Sequence, residues 1–231
     1  MQNNTSKMVT LLGKIRKQMN GAVLDTFRYY GAKYGMNYGV AIHSIREMAA
    51  EQGTDHDLAK FLYRQQVREL QIIALWIADA GRVVDEELDF WRVGIVNSEI
   101  AEQAAQGLLC NIADIEKMLD NWCSGDDSIV AYAALLAASR SGTVGAECVE
   151  RAIVQAVTNH SDNHLVAQGA IALLASIITK DRLCVERTIT KLPQNRSAEL
   201  ITEEIKWRLE YSVLYFISQI GVYFKNKFVS L

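Results

Sequence analysis

Residues 38–79 read YGVAIHSIREMAAEQGTDHDLAKFLYRQQVRELQIIALWIAD, and their apolar positions decide the fold class. Val40, Ile42, Ile45, Met48 and Ala49 recur at i, i+3, i+4 spacing. Leu58, Phe61 and Leu62 do so again, followed by Val67, Leu70, Ile73, Ala74 and Ile77. This is the 3.6-residue period of helices buried along one face; the two-residue alternation of a strand is absent. Between the first two stripes stand Gly53, then Thr54, Asp55 and Asp57. A glycine takes the backbone conformation that ends a helix, a short polar side chain caps the next one, and carboxylates suit its positive end.

The same punctuation continues outward. Asp85-Glu86-Glu87 and Thr202-Glu203-Glu204 read as helix starts, and Gly81, Gly125 and Gly142 as helix ends. Helices are expected over 7–19, 22–34, 38–52, 55–65, 66–80, 85–95, 97–111, 112–122, 126–140, 145–158, 163–179, 181–191 and 199–225. Many short helices in consecutive antiparallel pairs define an all-α protein, an α-α superhelix read as one helical-repeat domain over 1–231, with a loose period of about 30–40 residues. A single proline, Pro193, among 231 residues excludes proline-rich and collagen-like classes. Ile129–Ala138 and Leu165–Ile178 are apolar nearly all round but too short to span a membrane, so they read as inner helices. Tyr211–Phe224, the best membrane candidate, is also short and reads as a terminal capping helix.

Charge is unevenly spread. Residues 1–35 carry six Lys/Arg and one acid, 36–179 nine and twenty, and 180–231 nine and six. The acidic middle repels a phosphate backbone and the two ends do not, which makes DNA binding weak and dependent on few phosphate contacts. Lys14, Arg16 and Lys17 form the candidate phosphate-binding cluster. Cys110, Cys123, Cys148 and Cys184 lie too far apart for a zinc or dithiol motif and read as free thiols. The first twenty residues lack a signal-peptide core, and the expected location is cytoplasmic. His160 and His164 are spaced i, i+4, but in a polar turn that does not suit a metal. Trp76, Trp91, Trp122 and Trp207, spread one per region, read as packing residues.

Tyr38-Gly39-Val40, Ile45-Arg46, Asp55-His56-Asp57-Leu58-Ala59, Arg68-Glu69 and Trp91 stand in an order and spacing similar to those of the DNA alkylation repair family, the AlkD-like HEAT-repeat DNA glycosylases. The likeness is fair over about 38–110 and weak beyond, and His43 stands where that family has a proline. The resemblance implies a HEAT-like array whose concave face holds duplex DNA and which excises N3- or N7-alkylated purines without metal or cofactor. A carboxylate stabilises the oxocarbenium-like sugar, and aromatic faces favour the cationic base.

That family's catalytic motif is Trp-Asp-x-x-Asp; the matching run here is Ser98-Glu99-Ile100-Ala101-Glu102. Glu99 and Glu102, three apart, share a helix face, and Glu102 matches the catalytic acid with one extra methylene. Ser98 and Ala172 stand where the family has tryptophans, and Ala175 where it has an arginine. The expectation is therefore a diverged DNA- or protein-binding scaffold with a degenerate glycosylase site. The alternatives are an active alkylpurine glycosylase using Glu102 and a pure protein-interaction scaffold, the latter favoured by the acidic middle.

Overall fold

The computed structural model describes residues 3–29 and 34–211. Its helices are α1 Asn4–Lys17, α2 Gly21–Tyr29, α3 Ile42–Gln52, α4 His56–Tyr63, α5 Arg68–Ile77, α6 Asp85–Val93, α7 Ser98–Gly107, α8 Ile115–Ser124, α9 Ser128–Ser141, α10 Ala146–Asn159, α11 His164–Ile177 and α12 Arg182–Lys191. A further helix, α13, occupies 196–211. The described residues contain no strand, and Met36 and Val67 form an isolated bridge.

The helices form two layers. In one, α3, α5, α7, α9 and α11 lie side by side in chain order. In the other, α8, α10 and α12 do the same, and α1, α4 and α6 continue it. The first layer is the more closely spaced. α9 buries every residue from Val130 to Ala138, five of them alanine. A Cβ on Gly169 of α11 would lie 3.0 Å from Leu135 Cβ, and one on Gly107 of α7 would lie 2.9 Å from the Leu75 carbonyl. Small residues let backbones approach, so this layer follows the shorter arc and its open face is the concave one. Ile129–Ala138 and Leu165–Ile178 are inner helices, as their composition implies. No described helix is long and apolar enough to cross a membrane, and 212–224 of the capping segment lie outside the described residues.

Ion pairs about one repeat apart link the second layer. Asp85 meets Lys117, Asp120 meets Arg151, and Glu150 meets both Arg187 and Lys191, at separations of 32, 31, 37 and 41 residues. Exposed pairs contribute about 0–1 kcal/mol each, so this ladder sets the register of neighbouring helices more than it adds stability. It also corrects the charge argument: several acids of the middle segment are paired on this layer and do not face the concavity.

Residues 38–41 are not helical as expected. Glu69 accepts the amides of Tyr38 (3.1 Å) and Val40 (3.2 Å), and Gly39 has φ +71°, with its Cα so close that a Cβ would stand 2.3 Å from the Asn20 carbonyl. Thr202 lies inside α13, which is capped instead by Asn195, accepting from the Ala198 amide at 2.9 Å. A capping pattern inside a long helix looks the same in sequence as one at its start.

Asp55 caps α4 by accepting from the Leu58 amide (3.0 Å) and pairs with Lys7 (2.6 Å). Buried His56 accepts the Asp79 amide at Nδ1 (3.3 Å), so Nε2 carries the proton donated to Glu87 (3.0 Å). Burial raises the pKa of Asp55 and of Glu87. Lys7 and the Leu58 amide outweigh it at Asp55, and Lys60 and His56 at Glu87, leaving both carboxyls below their ordinary values. A lowered folded-state pKa stabilises the fold above the unfolded value of about 4, and that stability is lost as pH falls through the folded value. The urea midpoint should therefore hold from pH 7 to about pH 5 and fall below about pH 4. Asp55→Asn with Glu87→Gln should flatten that fall; an unchanged acid slope would refute the assignment.

Candidate functional site

α7 starts where Asn97 accepts the Ile100 amide at 3.0 Å, and it buries Ile100, Ala101, Ala104 and Ala105. This leaves Glu99 and Glu102 on adjoining turns of one face, as their spacing requires, but their surroundings differ. Glu102 is exposed on the open side of the first layer and accepts a hydrogen bond from the Tyr132 hydroxyl of α9 at 3.2 Å. Burial, reinforced by the Glu102 charge, pushes the Tyr132 phenol up to about 12, so it remains a donor at neutral pH.

Next to it, Gln103 accepts from Trp76 Nε1 (3.1 Å) and Arg46 Nη2 (3.2 Å), and Gln106 accepts from Arg46 at 2.8 Å. The Arg46 guanidinium lies 4.6 Å above the Trp76 ring. Side chains from α3, α5, α7 and α9 thus converge on one patch: an open carboxylate, a phenol, an indole, two amides and a guanidinium. Sequence reasoning missed Trp76 and Tyr132 as partners of α7. The available signal was the repeat itself: Tyr132 follows Glu102 by 30 residues, and Trp76 precedes Gln103 by 27.

Glu99 is engaged elsewhere. Arg68 holds it with two hydrogen bonds, Nε at 2.7 Å and Nη2 at 2.6 Å, and the Tyr34 hydroxyl donates to it as well. Arg68 is 1% exposed; it also donates to the Val40 carbonyl (2.9 Å) and to Glu69 (3.1 Å), and lies 4.6 Å over the Phe27 ring. Burial lowers the Arg68 pKa, and Glu99 and Glu69 outweigh it. Burial, with Glu99 adding to it, drives the Tyr34 phenol far above its ordinary value. Glu99 is therefore an anchor joining the 34–40 loop, α5 and α7, and it is not free to act on a ligand.

The structure does not bring the basic cluster to this patch. Lys14 pairs with Glu51 at 2.6 Å, and Arg16 and Lys17 are exposed at the end of α1. Ser98 opens α7. Ala172 and Ala175 line a depression of about 930 Å³ between α11 and α13, across from Trp207. Trp207 is 60% exposed and stacks on Tyr211 with centroids 5.5 Å apart, so it is not a packing residue. His160 ends α10 and His164 starts α11. The four cysteines are free thiols.

Paired helices stacked side by side in two layers define a helical-repeat fold. One solved structure, described as a new family of proteins related to the HEAT-like repeat DNA glycosylases with affinity for branched DNA structures, superposes with a TM-score of 0.66. It shares 15% sequence identity, over 85% of this chain and 93% of that one. The HEAT-like fold is thereby shown, as the motif resemblance implied. No protein-family model and no curated protein matches the chain.

Proposed function

We propose that this chain is a DNA-binding HEAT-like scaffold in which the glycosylase site is degenerate. The observation that carries this reading is the state of Glu102: exposed and, among the described residues, hydrogen-bonded to Tyr132 alone, with Ser98 and Ala172 standing where the resembled family has tryptophans. Stabilising an oxocarbenium-like sugar needs a carboxylate fixed against the nucleotide, and misplacement of about 1 Å costs about 100-fold. The described affinity of the structural neighbour for branched DNA supports DNA as the partner. Arg46 on the open face and the removal of several acids to the other layer make that face compatible with a phosphate backbone.

Incubation with methylated DNA should release N3- and N7-methylpurine at the background rate, and Glu102→Gln should not change it. The second reading, an active glycosylase, is favoured by Tyr132, whose hydroxyl holds Glu102, and by Trp76, which bonds the neighbouring Gln103. It wins if the wild type releases methylpurine and Glu102→Gln abolishes the release.

Binding to duplex DNA should be weak and should weaken further with salt. A log–log salt slope of magnitude no greater than about 4 is expected, since each neutralised phosphate contributes about 0.9. Tight binding that survives high salt in an anisotropy titration would contradict the charge distribution.

A further inference from the structure

A second cavity, of about 690 Å³, opens at the edge of the array where the α4–α5 and α6–α7 turns meet Tyr34, away from the Glu102 patch. Tyr34, Tyr63, Phe90, Val93 and Val96 form its apolar walls. Close backbone approaches shape it. A Cβ on Gly35 would stand 2.5 Å from the Gln66 carbonyl oxygen, and one on Gly94 would stand 2.4 Å from the Tyr63 ring. Gln66, a non-glycine residue, takes φ +54°, and its turn is held by the Met36 amide donating to its carbonyl at 3.0 Å. A strained turn kept by surrounding contacts is a feature that concentrates at ligand sites.

The decisive residue is Gln71. It is 7% exposed and lines the cavity, yet its side-chain amide has no hydrogen-bond partner among the described residues. The amide atoms are not enclosed by protein and open onto the cavity, so its donor and acceptor both face whatever enters there. A glutamine amide offers a donor and an acceptor side by side, the complement of a nucleobase edge. At the rim, exposed Arg64 lies 5.1 Å over the Phe90 ring with its N–H groups available at the edge of the guanidinium plane. Aromatic walls, a base-reading amide and a phosphate-binding guanidinium together describe a nucleotide.

We propose that this cavity receives the base of an unpaired nucleotide, with Gln71 bonding its edge and Arg64 its phosphate. The proposal rests on the DNA-binding reading and states which feature of DNA is recognised. A base already out of the stack enters without the cost of unpairing, so a branch point, bulge or gap is favoured over intact duplex.

The test compares two labelled DNAs by anisotropy: a perfect duplex, and the same duplex with one bulged 2-aminopurine nucleotide. Wild type should bind the bulged DNA about tenfold more tightly, with quenching of the 2-aminopurine as it stacks. Gln71→Leu should bring the ratio of the two affinities toward one. Gln71→Leu breaks no hydrogen bond to a described residue, so the urea midpoint of this variant should not fall. Val93→Trp, which fills the cavity from an exposed position without altering Gln71, should also abolish the preference. Equal wild-type affinity for the two DNAs, or a preference that survives both variants, overturns the cavity proposal and leaves DNA binding standing. Failure to bind either DNA overturns both.

Discussion

Arg68→Ala is expected to lower the unfolding free energy by about 3–5 kcal/mol, the cost of breaking a buried ion pair by removing one partner. The buried guanidinium faces two carboxylates: Glu69, 0% exposed, and Glu99. Alanine leaves Glu69 buried without its cation, frees the Val40 carbonyl, and uncovers Phe27. The loss spreads beyond the pair, because Glu69 is also the acceptor for the Tyr38 and Val40 amides. Glu99→Gln should cost less than half as much, since an amide oxygen still accepts from Arg68 or Tyr34. Urea unfolding of the two variants checks the order. A loss below about 1 kcal/mol for Arg68→Ala, typical of an exposed pair, would refute the anchor.

Arg68 also marks the limit of what the sequence discloses. The stripe Val67, Leu70, Ile73, Ala74 and Ile77 identifies α5, but the structure buries every residue of α5 except Trp76, which is partly covered. A helix packed by α3, α4 and α7 keeps little of its surface open, at Trp76 and beside Gln71, so most of its polar residues are as buried as its aliphatic ones. Periodicity reads a stripe and cannot tell that Arg68, Glu69 and Gln71 lie inside. The same holds at the candidate site. A spacing of three places Glu99 and Glu102 on one face, but which of them remains open is decided by Arg68, 31 residues earlier, and by Tyr132, 30 residues later. The summed charge of the middle segment was legible; its division between two layers depended on pairings a repeat apart, which composition does not contain.

Trp91→Ala is expected to cost about 3–5 kcal/mol, as for a large aromatic side chain deleted from a core, and Trp91→Phe less than about 1.5 kcal/mol. The indole is 0% exposed, with ring centroids 4.9 Å from Tyr63, 5.0 Å from Phe90 and 6.1 Å from His56. Alanine removes a side chain that three rings enclose, and Tyr63, whose hydroxyl donates to the Trp91 carbonyl at 2.8 Å, limits how far the site can collapse. Phenylalanine keeps most of that volume. It also removes Nε1, a buried donor with no acceptor among the described residues, whose desolvation costs about 1–3 kcal/mol. The two effects oppose, so thermal or urea unfolding should separate the variants widely; equal losses would mean that the indole N–H has a partner in solution. Trp91 belongs to the motif pieces that carry the resemblance to the DNA alkylation repair family. Tyr38-Gly39-Val40 is tied down by Arg68-Glu69, and Asp55-His56 caps α4 and braces α6. These pieces build the frame, and none of them touches Glu102. Of the motif residues, Arg46 reaches the open patch, where it bonds Gln103 and Gln106; the others named here report a common fold, and the rest of the open face's chemistry depends on Glu102, Trp76 and Tyr132. Trp91→Phe, which lies behind the cavity walls Tyr63 and Phe90 and away from Glu102, should accordingly leave affinity for intact duplex DNA unchanged while its stability falls.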